Sequence, residues 1–125
     1  MQAQTEAAAH FHLAKDLEAK GDLSGAVAEY CEAVKLKPDD MVVHRSLGAT
    51  LYKKGDVDEC IAEFREAVRL APDQAATHVK LAIAFELKDD FDEAIVELRQ
   101  AISLDPKDGN AHYHLAHDLA AQGNL

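Results

Sequence analysis

The stretch Ala33-Val-Lys-Leu-Lys-Pro38 recurs 34 residues later as Ala67-Val-Arg-Leu-Ala-Pro72, and after the same interval again as Ala101-Ile-Ser-Leu-Asp-Pro106. Self-similarity at this period is typical of a chain built from copies of one supersecondary unit, each of which buries its apolar face on the next. The prolines set repeats at residues 7–40, 41–74 and 75–108, followed by half a repeat at 109–125. The sequence therefore predicts a single repeat domain over residues 1–125.

Each repeat contains two apolar helical patterns separated by a break. The breaks fall at Gly21, Gly55, Asp89 and Gly123. Glycine and aspartate both tolerate the left-handed conformation that ends a helix. Capping boxes open second helices at Asp56-Val-Asp-Glu59 and Asp90-Phe-Asp-Glu93, and the proline that follows each second helix ends it. The pattern predicts an all-α fold of helical hairpins with about seven helices.

These residues resemble the tetratricopeptide repeat family over residues 7–125. The family pattern is Trp-x2-Leu-Gly-x2-Tyr, then Ala-x3-Phe, then Ala and Pro. The second repeat carries it as His44-x2-Leu47-Gly48-x2-Leu51, Cys60-x3-Phe64, Ala67 and Pro72. The resemblance implies a right-handed α-solenoid of stacked hairpins, whose first helices line a concave groove that binds a peptide or helix of another protein.

The register predicts which side chains face that groove. They are Phe11, His12, Lys15, Arg45, Ala49, Tyr52, Lys53, Val79, Lys80, Ile83, Tyr113, His114 and His117. With Glu18 and Glu86, which share these faces, basic residues exceed acidic ones by four to two, whereas the whole chain has 13 basic and 23 acidic residues. We therefore expect a protein or peptide partner with apolar anchors and acidic groups.

One tetratricopeptide subgroup grips the C-terminal carboxylate of heat-shock chaperones with lysine, asparagine and arginine side chains. The matching positions in this sequence hold Phe11, Lys15, Ser46, Ala76 and Lys80. Only Lys80 is comparable, which argues against a chaperone-tail clamp.

The overall charge excludes two classes of partner. A formal net charge of -10 at pH 7 repels nucleic acid and anionic membranes. The N-terminus lacks the basic start and apolar stretch of a secretory signal, and no run approaches a membrane-spanning length. The chain is expected to be cytoplasmic.

Catalysis and cofactor binding are not predicted. The sequence has no glycine-rich phosphate loop, nucleophile motif or zinc helix of the His-Glu-x-x-His type. His114 and His117 share one helix face, but no third ligand is evident from the sequence, so no metal is predicted. Cys31 and Cys60 occupy different repeat columns inside apolar patterns, which predicts unpaired thiols.

A histidine column replaces the tryptophan of the family pattern. Its members are His10, His44, His78 and His112. Residues one repeat apart lie on neighbouring helices with axes roughly 8 to 10 Å apart, too far for one shared metal. We expect half-buried imidazoles that are hydrogen-bonded to backbone or neighbouring side chains.

The last helix offers an alternative function. Ala116 and Leu119 face the place of a second helix that the sequence does not contain. Two copies could associate there and form a homo-oligomeric scaffold, or residues beyond a fragment could supply the helix.

Overall fold

The structure, a computed structural model, describes residues 2–123. Met1 lies outside this range, as do Asn124 and Leu125 of the predicted half repeat. Within it the chain forms seven α-helices and no strand. These are α1 (Gln2–Ala19), α2 (Leu23–Leu36), α3 (Met41–Lys54), α4 (Val57–Leu70), α5 (Ala75–Leu87), α6 (Phe91–Leu104) and α7 (Gly109–Ala121). The predicted all-α class and the number of helices are confirmed. None of these seven helices has both the length and the apolar character that a bilayer crossing requires.

The helix ends follow the predicted turn chemistry. Gly21 and Gly55 have φ values of 86° and 85°, and Asp89 takes the same left-handed region with a φ of 57°. The residue that follows each of them donates a backbone hydrogen bond to a carbonyl of the last helical turn. For example, the Asp56 amide donates to the Leu51 carbonyl at 3.0 Å. α2, α4 and α6 each end two residues before a proline. These breaks fix the hairpins.

The first helix is longer than the repeat register predicts. α1 begins at Gln2, upstream of the predicted boundary at residue 7. The segment from 2 to 9 contains four alanines and neither glycine nor proline, so nothing in it interrupts the helix.

The helices group into two compact units, Met1–Leu70 and Ala71–Leu125. In the first unit α1 packs on α2, α2 on α3 and α3 on α4. In the second, α6 packs on both α5 and α7. The buried cores are rich in alanine, with Tyr30, Leu47, Leu51 and Phe64 as large members in the first unit and Leu81, Phe85, Leu98 and Ile95 in the second. The single domain over residues 1–125 stays a prediction.

Gly48 marks the closest approach of α3 and α4. A Cβ atom built there would lie 2.9 Å from two ring carbons of Phe64, whose side chain is 2% exposed. Because the ring is buried, it can move away only if its neighbours also move. The third repeat fills the same two columns with Ala82 and Leu98, a larger and a smaller residue respectively.

We expect Gly48→Ala to lower the free energy of unfolding by about 1 kcal/mol. Overpacking against Phe64 costs roughly 1 to 3 kcal/mol, which exceeds the gain of about 1 kcal/mol in helix propensity. Urea unfolding of Gly48→Ala, Phe64→Leu and the double variant measures the coupling. The double variant should lose less than the sum of the single changes; strict additivity would mean that the ring is not the obstacle.

Candidate functional site

The histidine column holds the two helices of each hairpin together. His44 Nδ1 is 2.7 Å from Glu63 Oε1, and His44 Nε2 is 2.8 Å from the Pro38 carbonyl. His78 makes the same two contacts, at 2.8 Å each, with Glu97 and the Pro72 carbonyl. Both nitrogens of each ring therefore face an oxygen atom that can accept a hydrogen bond.

The ends of the column are less complete. His10 Nδ1 lies 2.6 Å from Glu29 Oε1, and His112 Nε2 lies 2.8 Å from the Pro106 carbonyl. The expected hydrogen bonds are confirmed for all four imidazoles, but the expected half-burial holds only for His10, because His44 and His78 are buried and His112 is exposed. Because both nitrogens of His44 and His78 are engaged, the interior of the column is structural.

Glu18 joins three helices of the first unit. It accepts a hydrogen bond of 3.1 Å from the Tyr30 hydroxyl on α2 and one of 2.7 Å from Lys53 Nζ on α3. Burial alone would raise the pKa of the Glu18 carboxyl, but the hydrogen bonds from Lys53 and Tyr30 and the charges of Lys53 and Lys15 lower it. Burial raises the pKa of Tyr30, and Glu18 adds to the rise. Lys53 is therefore an internal partner of Glu18.

The first unit brings five of its predicted groove residues onto neighbouring helices. We call Phe11, Lys15, Arg45, Ala49 and Tyr52 the α1–α3 surface. Lys15 and Tyr52 are exposed, and the other three are half-buried. Lys15 Nζ lies 5.4 Å from the centroid of the Phe11 ring, within reach of a cation–π contact. Among residues 2–123, Arg45 has no ion-pair partner.

A cleft adjoins this surface at the amino ends of α1 and α3. It has a volume of about 160 Å³ and is lined by Gln4, Ala7, Ala8, Phe11, His12, Lys37, Asp40, Val42 and Val43. It shares Gln4, Lys37, Asp40 and Val42 with a wider depression of about 690 Å³ beside the α2–α3 loop. Small-molecule sites usually exceed about 300 Å³, so the narrow cleft suits one side chain of a ligand.

The predicted groove residues of the second unit have different surroundings. Lys80, His117 and Tyr113 are exposed, with Tyr113 at 66%, and Ile83 and His114 are half-buried. Val79 is wrong as a ligand contact, because its side chain is only 6% exposed and belongs to the core. Its place on a first helix is as predicted, but the register misjudged its burial.

α5 and α7 bring together a cluster that the sequence reveals only in part. We call Glu86, His114, His117 and Asp118 the α5–α7 cluster. His114 Nδ1 lies 3.2 Å from both carboxylate oxygens of Glu86, and His117 Nδ1 lies 3.1 Å from Asp118 Oδ1. Burial raises the pKa of Glu86 to about 8, and the neighbouring Asp118 adds to the rise.

Two signals for this cluster are present in the sequence. Asp118 follows His114 by four residues, the spacing that places both on one helix face. Glu86 stands in the same repeat column as Glu18. Asp118 is fully buried, which the sequence does not indicate. Aspartate is rarely buried without a partner, so the residue type alone predicts an exposed position.

Both cysteines are free thiols, as predicted. Burial raises the pKa of Cys60 to about 11, and burial followed by the charge of Glu63 raises the pKa of Cys31. Each is therefore protonated at neutral pH, and neither is an activated nucleophile.

The comparison with family models identifies the class of protein. The model described as "Tetratricopeptide repeat" matches residues 39–107, and the one described as "TPR repeat" matches residues 14–55. The chain belongs to the tetratricopeptide repeat family. No curated protein matches it in sequence.

Solved structures have the same fold. The crystal structure of MamA protein superimposes with a TM-score of 0.92 at 24% identity, covering 95% of this chain and 65% of that one. MamA from Desulfovibrio magneticus RS-1, from residue 41 to its end, gives 0.85 at 23% identity, covering 92% and 65%. The first TPR of Spaghetti (RPAP3), bound to the HSP90 peptide SRMEEVD, gives 0.88 at 14% identity, covering 95% and 94%. The chain thus spans slightly less than two thirds of these MamA structures.

The outer face of α7 has solvent-accessible apolar residues. Ala116 is exposed and Leu119 is half-buried. Association of two copies through this helix stays a prediction.

Proposed function

We propose that this chain is a protein-interaction module, without catalytic chemistry of its own, that binds a peptide segment or helix of a partner protein on the α1–α3 surface. The fold supports the broader class, because tetratricopeptide domains are generally non-catalytic interaction modules. One observation supports the choice of this surface. An apolar cleft lies beside Lys15 and Arg45, two cations that form no ion pair among residues 2–123.

The cleft provides the apolar anchor site. Ala7, Ala8, Phe11, Val42 and Val43 form most of its wall, and Val42 is 42% exposed although it is a large aliphatic residue. An aliphatic or aromatic side chain of a ligand that entered the cleft would remove this surface from water. Anchors of this kind dominate the affinity of peptide and protein interfaces.

The charged side chains of the α1–α3 surface determine which ligand groups can lie beside the apolar side chain in the cleft. Lys53 neutralises Glu18, which leaves Lys15 and Arg45 as the cations of the surface, with Lys37 on the wall of the cleft. Asp40 also lines the cleft, but its carboxylate is engaged with the Val42 amide at 3.0 Å as the cap of α3. The surface therefore favours carboxylates on the ligand.

The peptide held by the Spaghetti domain, SRMEEVD, is also acidic. The present chain has Ser46 and Ala76 where chaperone-tail clamps have charged or amide side chains. We therefore propose an acidic ligand with an internal apolar anchor, rather than a chaperone tail gripped by its terminal carboxylate.

Selection from a display library of random dodecapeptides tests the proposal and does not require the natural partner. Selected peptides should carry an aliphatic or aromatic residue flanked by Asp or Glu. Fluorescence anisotropy should then show binding to a Lys15→Glu, Arg45→Glu variant that is at least about tenfold weaker. The melting temperature should change little, because exposed charges contribute little to stability.

The matched control is Lys20→Glu with Lys107→Glu, which changes the net charge equally at two exposed positions outside the surface. Its affinity should stay within about twofold of the parent. Equal weakening by both variants would show only a long-range charge effect. Peptides without acidic residues, or an affinity that Lys15→Glu, Arg45→Glu leaves unchanged, would refute the proposed surface.

A further inference from the structure

The α5–α7 cluster concentrates four potential metal ligands on two helices of one unit. One ligand atom each from Glu86, His117 and Asp118 lie within 4.8 Å of one another. His114 stands beside them, with Nδ1 3.2 Å from both oxygens of Glu86. The cluster thus offers two imidazole nitrogens and two carboxylates.

An unsatisfied oxygen inside the cluster points to a missing ligand. Asp118 is 0% exposed, and while the neighbouring Glu86 is ionised no hydrogen-bond donor within residues 2–123 reaches its Oδ2 atom; without a cation, a proton on Glu86 is the donor available to Asp118. A buried carboxylate oxygen without a donor is costly, and such groups are usually paired or coordinate a metal. The buried Oδ2 atom of Asp118 is therefore a second observation, in addition to the closeness of the acidic side chains.

The ligand atoms of Glu86, His117 and Asp118 lie within 4.8 Å of one another, so the side chains need to draw only slightly closer to hold one small cation. Ligand atoms of a tetrahedral site with metal–ligand distances of about 2.1 Å lie about 3.4 Å apart. The His117 to Asp118 and His114 to Glu86 distances of 3.1 and 3.2 Å are close to this value. The His117 side chain is 57% exposed, which gives a cation access from solvent.

The donor set restricts the kind of cation. Imidazole nitrogen suits zinc, copper, iron and nickel, whereas magnesium and calcium prefer sites made of oxygen alone. We propose that Glu86, His114, His117 and Asp118 bind one divalent first-row transition cation, for which zinc is the probe. This site is separate from the α1–α3 surface, and its test does not involve a peptide.

The experiment is a titration of the untagged, chelator-treated full chain with Zn²⁺ by calorimetry, and with Co²⁺ by visible absorption. One equivalent should bind, and Co²⁺ should give the strong visible bands of a tetrahedral site. His117→Ala and Asp118→Asn should each weaken Zn²⁺ binding at least about tenfold. Millimolar Mg²⁺ should not displace the metal.

His112→Gln is the matched control, because it removes a histidine from the same helix that is held by the Pro106 carbonyl. It should leave the affinity within about twofold of the parent. Asp118→Asn also shows whether a loss of Zn²⁺ binding could come from misfolding. The asparagine amide can donate a hydrogen bond to Glu86, so this variant should not destabilise the metal-free chain. Absence of stoichiometric binding, or equal affinity in parent, His117→Ala and Asp118→Asn, would overturn the proposal.

Discussion

Replacing His78 with alanine is expected to lower the free energy of unfolding by about 3 kcal/mol. The ring is 5% exposed and bridges Glu97 on α6 and the Pro72 carbonyl, at 2.8 Å each. Its removal leaves the Glu97 carboxylate, which is 17% exposed, without its imidazole partner. It also leaves a cavity where the ring stood. Urea-induced unfolding, followed by circular dichroism, measures the loss.

His112→Ala provides the control within the same repeat column. His112 is exposed, and its Nε2 atom contacts the Pro106 carbonyl at 2.8 Å. A single exposed hydrogen bond contributes about 1 kcal/mol or less, so this variant should lose much less stability than His78→Ala. Glu97→Gln should fall between the two, because an amide oxygen still accepts from Nδ1. Equal losses in His78→Ala and His112→Ala would show that the buried pair contributes nothing.

The helices could be predicted because the signals for them are local. A proline two residues beyond a helix, or a residue with positive φ at its end, acts on its immediate neighbours in any chain. Asp89 illustrates this well, since its left-handed conformation follows from its place in the column of Gly21 and Gly55. The start of α1 was predicted too late, because the repeat pattern begins only at residue 7. The helix propensity of the residues before it favours an earlier start.

The sequence predicted that the histidines form hydrogen bonds with the backbone or with neighbouring side chains, but it did not identify the glutamates as their partners. Each glutamate follows its histidine by 19 residues, as Glu63 follows His44. Glu29, Glu63 and Glu97 therefore recur at the repeat period, and the pairing could have been recognised as a second periodic column. A search confined to the family pattern overlooks such a column, because the family has tryptophan where this chain has histidine.

The candidate sites were harder to predict because they depend on burial and on individual pairings. Lys53 was predicted as a groove residue, and the structure adds an ion pair with Glu18, 35 residues earlier, at 2.7 Å, which the sequence did not indicate. Val79 differs from expectation because a repeat register gives the face of a residue but not the depth at which it lies. The charge of a surface therefore cannot be obtained by counting its residues.

Glu18 and Glu86 show this effect most clearly, because they occupy one repeat column in opposite environments. Hydrogen bonds from Lys53 and Tyr30 outweigh burial and lower the pKa of Glu18. Burial, with Asp118 beside it, raises the pKa of Glu86 to about 8. Glu18 thus stabilises the fold above its unfolded pKa, and this contribution disappears as the pH falls. Glu86 is best accommodated when protonated, so stability is lost as the pH rises from about 4.5 to about 8.

Glutamine at these two positions should therefore change stability in opposite directions. With a chelator present, we expect Glu86→Gln to become more stable than the parent by at least about 1.4 kcal/mol at about pH 8.5, relative to their difference at about pH 5. Glu18→Gln should be less stable than the parent at both values, because Lys53 loses its partner. Urea unfolding of the three proteins at both pH values makes the comparison, and taking differences cancels the ionisable groups that do not contact either glutamate. A Glu86→Gln variant whose stability followed that of the parent across this range would show that the glutamate beside Asp118 is not held in its neutral form.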